Sequence, residues 1–156
     1  MNNEEFAKRV EVIRKKLYQI AFTYLGSESM AVDAVDEAVY KALCNKRKLI
    51  HPEYFNTWIT RILINECNNE LRRQKRLLPL NELPESATPE FDLLPLKEAV
   101  RLLPKELKDV IILRFFVGCT VYETAQTLQI PIGTVSSRQR KALQILRLEL
   151  DEEVSL

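Results

Sequence analysis

The chain has 156 residues, of which 46% are hydrophobic and 29% are charged, so it folds into one or two compact domains and is not disordered. Its three glycines cannot build a phosphate-binding loop, and neither the three cysteines nor the single histidine has the spacing of a metal or nucleophilic site. We therefore expect no catalytic residue, no metal and no cofactor. The N-terminus has no apolar signal core and no segment is long enough to span a membrane, which predicts a cytoplasmic protein.

Charge is segregated along the chain, although the net charge is only +1. Residues 46–76 hold eight Lys or Arg against three Asp or Glu, and residues 132–148 hold four bases and no acid. Residues 77–92 hold four acids and no base. Because a nucleic-acid binder needs positive charge only where phosphates lie, the two basic segments are the candidates for such a role.

Apolar residues at helical spacing predict a first helix over 4–25 and a second over about 29–43. The first apolar stripe comprises Phe6, Val10, Ile13, Leu17, Ala21 and Tyr24. The second comprises Ala31, Ala34 or Val35, Ala38 and Ala42. The charged residues Asp33, Asp36, Glu37 and Lys41 fall outside the second stripe, which taken alone indicates a solvated helix face.

A short basic loop over 45–51 precedes a long helix that Pro52 opens and that reaches about Lys75. Aromatic residues begin this helix and Lys and Arg end it. Aromatic rings stack on unpaired bases and cations hold phosphates, a combination that suits melted or flipped DNA. Phe55 and Trp58 taken singly are equally consistent with a core position, and the terminal cations with a solvated helix end.

Three prolines and four acids in the segment 77–94 predict an acidic linker between two domains. Scarce glycine and abundant helix formers predict an all-α protein of two small helical domains, 1–76 and 94–156, joined by a flexible acidic linker, 77–93. Helices resume near Pro95 and again after Pro104. Residues 105–117 supply an expected core of Leu107, Val110, Ile111, Leu113, Phe115 and Phe116.

The segment 120–146 reads as two helices joined by a tight turn, which is the layout of a helix-turn-helix. Thr120 and Glu123 have the spacing of a capping box. A buried stripe is expected at Val135, Ala142 and Leu146, with basic residues on the other faces. The alternative is a solvated helix in an ordinary bundle.

The order of these parts resembles the extracytoplasmic-function (ECF) group of the bacterial sigma-70 family. Three segments carry the resemblance, in order and over nearly the whole chain: LYQIAFTYLGSESMAVDAVDEAVYKAL, FNTWITRILINECNNELRRQKR and LPKELKDVIILRFFVGCTVYETAQTLQIPIGTVSSR. The resemblance implies a stress-response transcription initiation factor that is not an enzyme. Such a factor binds core RNA polymerase, directs it to promoters with −35 and −10 elements, and promotes melting of the −10 region.

The resemblance also implies a role for particular residues. The β′ clamp helices of polymerase would be bound by Asp33, Asp36 and Glu37. The −10 element would be bound by Lys46, Arg47, Lys48, Trp58, Arg61, Asn65, Asn69, Arg72, Arg73 and Arg76. The −35 element would be bound by Thr134, Ser136, Ser137, Arg138, Arg140 and Lys141.

Several positions depart from the pattern usual in the family. Asp36 stands where glutamine is usual and Asn69 where aspartate is common. In the C-terminal domain the departures are Gln129 for glycine, Ser136 for Lys or Arg, Gln139 for leucine, and Leu143 at a place often basic. These departures predict a recognition helix with fewer phosphate contacts and a flatter salt dependence.

Other implied partners are the polymerase β flap, promoter DNA and an anti-sigma factor. The acids of the linker, Glu82, Glu85 and Glu90, would imitate nucleic-acid charge inside the polymerase cleft. Two alternatives remain open. A stand-alone helix-turn-helix regulator would bind duplex by itself and would carry a dimer interface, of which the sequence has no signature. A nucleic-acid hydrolase would need a catalytic constellation.

Overall fold

The computed structural model describes residues 1–77 and 94–154, with side chains described for 1–77 and 96–147. The chain forms two compact units that divide between residues 87 and 88. The described ranges contain helices and no strand, which confirms the all-α prediction. The predicted linker and its acids lie almost wholly outside the described residues, so the domain boundaries stay a prediction.

Over residues 1–77, the N-terminal unit contains three α-helices, in agreement with the predicted elements. They are α1 (Asn3–Leu25), α2 (Glu28–Cys44) and α3 (Phe55–Leu77). A tight hairpin joins the first two: Gly26 adopts the left-handed conformation (φ 69°) and donates its N–H to the Phe22 carbonyl at 2.8 Å. Ser27 then accepts a hydrogen bond from the Met30 N–H and begins α2.

The predicted apolar stripes of α1 and α2 are confirmed, because every residue named for them is buried. The alanines of α2 bring its axis close to its neighbours, while α3 supplies the large side chains Phe55, Ile59 and Leu63. The Phe55 ring meets the Phe6 ring edge-on, with centroids 5.7 Å apart. This core directs the remaining faces of the three helices to solvent.

The beginning of the third helix differs from the prediction. Pro52–Tyr54 forms a 3₁₀ turn and the α-helix begins at Phe55, whereas the sequence placed the helix start at Pro52. The Pro52 carbonyl accepts a hydrogen bond from the side chain of Arg9 as well as from the Phe55 N–H. A second 3₁₀ turn, Lys46–Lys48, follows α2.

The C-terminal unit contains α4 (Leu94–Leu102), α5 (Lys105–Ile111), one π-helical turn (Ile112–Val117), α6 (Val121–Leu128) and α7 (Ile132–Val154). Val110 of α5, Ala125 of α6 and Val135 of α7 meet in one buried cluster. The predicted stripe on α7 is confirmed, since Ala142 and Leu146 are buried together with Val135.

The prediction that Phe115 and Phe116 lie in the core is wrong. The two side chains are 53% and 38% exposed, whereas Ile112 and Leu113 are fully buried. The reason is the π-helical turn, which takes more residues per turn than an α-helix and rotates the following side chains out of the α-helical register. Gly118 ends the turn in the left-handed conformation (φ 86°).

Candidate nucleic-acid interfaces

The three acids expected to contact a partner are all exposed on α2, but they face two neighbours. Asp33 and Glu37, one helical turn apart, line a groove of about 650 Å³ between α2 and α3. Asp36 faces α1 instead, where its carboxylate lies 3.7 Å from the Arg14 guanidinium. The groove and the α1 side are therefore separate parts of the acidic surface.

Two further acids line the groove from the α3 side. Glu66 accepts a hydrogen bond from the Lys41 ammonium, and Glu70 pairs with the Arg73 guanidinium at 3.0 Å. Each carboxylate raises the pKa of its cation, Lys41 or Arg73, chiefly through that hydrogen bond. Arg73, predicted as a −10 contact, is thus turned toward the acidic groove by Glu70.

The other predicted −10 contacts on α3 share one stripe. At about 100° per residue they fall within about 80° of one another, opposite the buried residues of the helix. Trp58 is half-buried and its ring lies 6.1 Å from that of Phe55, so it belongs partly to the core and partly to the surface. The whole stripe comprises Trp58, Arg61, Asn65, Asn69, Arg72 and Arg76.

Asn69 and Arg72 act as a pair on this stripe. The Arg72 Nη2 donates to the Asn69 side-chain oxygen at 2.5 Å. The family resemblance leads us to expect an aspartate at position 69. Asn69 retains an acceptor for Arg72 but carries no negative charge, so the local field on the stripe is more positive.

The basic loop after α2 is anchored to α1 at one end. Lys46 donates to the side-chain oxygen of Asn3, while Arg47 and Lys48 are exposed. Of the three predicted loop cations, Lys46 is therefore engaged within the protein, whereas Arg47 and Lys48 are directed to solvent. Ile50, in the following segment, is 82% exposed.

The other end of the loop is anchored by Arg9. Its Nη1 donates to the Pro52 carbonyl at 2.8 Å, and its guanidinium lies 5.9 Å from the centroid of the Phe55 ring. Sequence reasoning missed both α1 residues that hold the loop, since each is 43 positions away from its partner. No local pattern encodes such a contact.

The predicted capping box at the start of α6 is confirmed. The Glu123 N–H donates to the Thr120 hydroxyl at 3.0 Å, and the Thr120 N–H donates to the Glu123 carboxylate at 3.1 Å. Two N–H groups that the helix itself cannot satisfy are therefore paired. The first helix of the helix-turn-helix begins at a sharply defined residue.

A Schellman motif ends α6 and forms the turn. Gln129 adopts the left-handed conformation (φ 57°, ψ 47°), and the Ile130 N–H donates to the Ala125 carbonyl at 3.1 Å. Ile130 then packs on the buried cluster. Glycine is the usual residue in this conformation, because any other residue adds backbone strain on the order of 1 kcal/mol. Gln129 therefore carries this strain.

The predicted −35 contacts on α7 do not all share one face. Thr134, Ser137, Arg138 and Lys141 fall within about 100° of each other, in an arc that begins at Arg138, about 60° from Val135. The remaining two, Ser136 and Arg140, are exposed and lie beyond the other end of that arc. The Ser137 hydroxyl donates to the Gly133 carbonyl at 3.0 Å.

Gln139 lies on the inward stripe of α7, in helical register with Val135, Ala142 and Leu146. Its side-chain oxygen accepts a hydrogen bond of 2.9 Å from Arg114 Nε. Arg114 is half-buried in the π-helical turn and was not singled out by the sequence. Gln139 is thus a core-facing amide with an intramolecular partner.

Two searches of the described residues bear on other functions. Over 1–77 and 94–154, no helix combines the length and apolar character needed to cross a bilayer. The same ranges contain no group of three His, Cys, Asp or Glu side chains placed to hold a metal ion.

Comparison with known proteins identifies both units. The family model described as "Sigma-70 region 2" matches residues 10–77, and "Sigma-70, region 4" matches residues 99–148. The chain is 30% identical to the RNA polymerase sigma factor SigV of Bacillus subtilis, over 90% of this chain and 87% of that protein. It is 25% identical to the ECF sigma factor SigW of the same organism, over 96% and 90%.

Solved structures share the fold. The sigma factor RpoE from Bartonella quintana, in complex with the anti-sigma factor NepR, matches with a TM-score of 0.73 at 21% identity, over 95% of this chain and 98% of RpoE. CnrH in complex with the cytosolic domain of CnrY matches with a TM-score of 0.74 at 23% identity, over 97% and 90%. From the two regions and the curated relatives together, the chain belongs to the sigma-70 family of RNA polymerase sigma factors, in the ECF group.

Proposed function

We propose that this protein binds core RNA polymerase, directs it to promoters with −35 and −10 elements, and helps to melt the −10 region. One observation carries the proposal: two units, each matched to a different sigma region, each carry exposed Lys or Arg side chains along one helix. A single helix-turn-helix would read duplex alone. The second basic face, with its aromatic residue and amides, suits unpaired bases.

The −10 element would lie along the exposed stripe of α3. Its cations pair with phosphates, and the side-chain amides of Asn65 and Asn69 can donate to and accept from base edges. Trp58 offers part of a ring face for stacking. Arg47 and Lys48 extend the positive surface to the loop, which Asn3 and Arg9 of α1 hold in place.

The −35 element would lie against α7 as duplex. Thr134, Ser137, Arg138 and Lys141 form the face that enters the major groove, while Arg140 and Ser136 are placed for flanking phosphates. The cations Arg138, Arg140 and Lys141 equal in number those of the α3 stripe, but α7 has no neighbouring loop cations like Arg47 and Lys48, so the −35 surface contributes less electrostatic free energy than the −10 surface. The −35 surface would therefore act when polymerase holds α7 in register with the −10 contacts.

Core polymerase would bind the acidic surface of α2 through the basic β′ clamp helices. Asp33 and Glu37 are the contacts best placed for arginine side chains, because they line an open groove. Asp36 contributes less, since its carboxylate already lies near Arg14. The C-terminal unit is expected to dock on the β flap.

We further infer that an anti-sigma factor regulates this protein, as the structural neighbour RpoE was solved with the anti-sigma factor NepR. The site of action is the cytoplasm, where polymerase and chromosome lie. The protein is not itself an enzyme and needs no cofactor for this role. The linker acids Glu82, Glu85 and Glu90 remain candidates for entering the polymerase cleft, and neutralising them should alter early transcription.

The direct test is run-off transcription on fragmented bacterial genomic DNA with core polymerase, with and without the protein. We expect new transcripts whose start sites share two upstream elements, and permanganate-reactive thymines in the −10 region of those promoters. The absence of a polymerase complex and of promoter-specific transcripts would overturn the proposal. Specific duplex binding by the isolated protein, with no polymerase complex, would favour the stand-alone regulator.

A variant pair tests the polymerase surface. Replacing Asp33 by Asn and Glu37 by Gln should weaken the complex with core polymerase about tenfold or more, because two charge pairs are lost. The matched control is Glu28→Gln, an exposed acid on the same helix outside the groove. Equal effects from both would contradict the assignment of the groove.

A further inference from the structure

The Arg114 side chain connects three segments of the C-terminal unit. Its Nη1 donates to the Cys119 carbonyl at 2.6 Å and its Nε donates to the Gln139 side-chain oxygen at 2.9 Å. The guanidinium also lies 5.7 Å from the centroid of the Phe115 ring. Cys119 directly precedes the Thr120 cap of α6, and Gln139 is on α7. One planar group therefore spans the π-helical turn, the start of α6 and the recognition helix.

The position of Gln139 explains why such a link is needed. A side chain in register with Val135 and Ala142 points toward the core, where an amide without a partner would be costly to desolvate. The cationic donor of Arg114 satisfies its oxygen with a charge-assisted hydrogen bond, which is stronger and more directional than an apolar contact. The pair thus restricts rotation and sliding of α7 against α6.

We propose that Arg114 is a positioning residue, which holds the recognition helix in register with α6 through its hydrogen bond to Gln139. This role rests on the proposed function of α7 as the −35 reader. Gln139 is then neither a base contact nor a weakened core position. It is the α7 end of an intramolecular link that sets the direction of Thr134, Ser137 and Lys141.

The rival explanation of any effect at Arg114 is a direct phosphate contact, and the two differ in their response to a second change. A positioning link can be replaced by an apolar contact, because Met at 114 and Leu at 139 can pack on each other. A lost phosphate contact cannot be restored in that way. It would also reduce the slope of log affinity against log salt by about 0.9.

The test uses holoenzyme and a duplex that wild-type holoenzyme selects from a library randomised across the −35 region. Arg114→Met should weaken binding about tenfold, the order expected for a charged hydrogen bond. The double variant Arg114→Met, Gln139→Leu should return to within about threefold of wild type, with the wild-type salt slope. The control Arg147→Met removes an exposed cation from α7, the helix of Gln139, and should change binding to the selected duplex less than about threefold.

The positioning role would be overturned if the double variant bound the duplex as weakly as Arg114→Met does. It would also be overturned if the slope of log affinity against log salt were reduced in both variants. Nitrogen-15 NMR of the full chain tests the link without DNA: the Arg114 Nε–H signal should shift and lose protection from exchange in Gln139→Leu. No change in that signal would also overturn it. If wild-type holoenzyme selects no sequence, the proposed function fails, and the role of Arg114 fails with it. If it selects a sequence but the double variant does not recover binding, only the role of Arg114 fails.

Discussion

The exposed face of α3 and that of α7 differ in how they are built. On α3, six predicted contact residues form one stripe opposite a core of large side chains, and the neighbouring Arg73 is held off the stripe by Glu70. On α7, the predicted contacts divide between a face and a flank, and a polar residue, Gln139, occupies the core side. Under the proposed function, the α3 stripe would contribute DNA affinity directly, whereas the contribution of α7 would depend on how accurately its unit orients the helix.

The largest expected effect separates two adjacent arginines of α3. Arg72→Gln should lower transcription from promoters of this factor about tenfold or more, because a cation is lost from the DNA-facing stripe. Arg73→Gln should change it less than about twofold, since Arg73 pairs with Glu70 in the acidic groove. Run-off transcription with saturating core polymerase measures both. Equal losses would place both arginines on DNA and break the proposed division of the helix surface.

A smaller effect is expected on α7. Lys141→Gln should weaken holoenzyme binding to a −35 duplex several-fold and lower the salt slope by about 0.9, because one phosphate contact is lost. Arg147→Gln is the matched control, as it removes an exposed charge from the same helix outside the proposed contacts. Fluorescence titrations between low and moderate salt give both quantities. An unchanged slope in Lys141→Gln would assign this residue to solvent.

The residues of the α3 stripe were named from the family resemblance, and their common face then follows from one helical period and one buried face. Periodicity could not separate Arg73 from the stripe, because the direction of the Arg73 side chain depends on Glu70 and on the groove between α2 and α3. Phe115 and Phe116 were misplaced because a π-helical turn interrupts the period, and sequence periodicity assumes a constant number of residues per turn. The anchors of the basic loop were not predicted, because Asn3 and Arg9 each lie 43 positions from the residue that they contact.

Helix capping gives a second comparison between the units. Thr120→Ala should cost about 1 kcal/mol, because the Thr120 hydroxyl accepts a bond of 3.0 Å from the Glu123 N–H and alanine offers no acceptor in its place. Ser27→Ala should cost about 0.5 kcal/mol, since Ser27 makes one long bond of 3.4 Å to the Met30 N–H. Urea unfolding followed by circular dichroism measures the two changes. A larger loss for Ser27→Ala would show that the α1–α2 hairpin depends on its cap more than its geometry implies.

An effect of similar size but opposite sign comes from the left-handed residue in each helix hairpin. Gly26 occupies this conformation between α1 and α2 (φ 69°), and Gln129 occupies it between α6 and α7 (φ 57°). Gln129→Gly should raise the free energy of unfolding by about 0.5–1 kcal/mol, because relief of the backbone strain exceeds the added chain entropy of the unfolded state. The reciprocal change, Gly26→Gln, should lower it by a similar amount or more. Urea unfolding again provides the measurement, and promoter binding at saturating polymerase should stay unchanged in Gln129→Gly, because the turn keeps its shape. A loss of stability in Gln129→Gly would mean that the Gln129 side chain contributes contacts that outweigh the strain, and α7 would then owe its orientation to this turn as well as to Arg114.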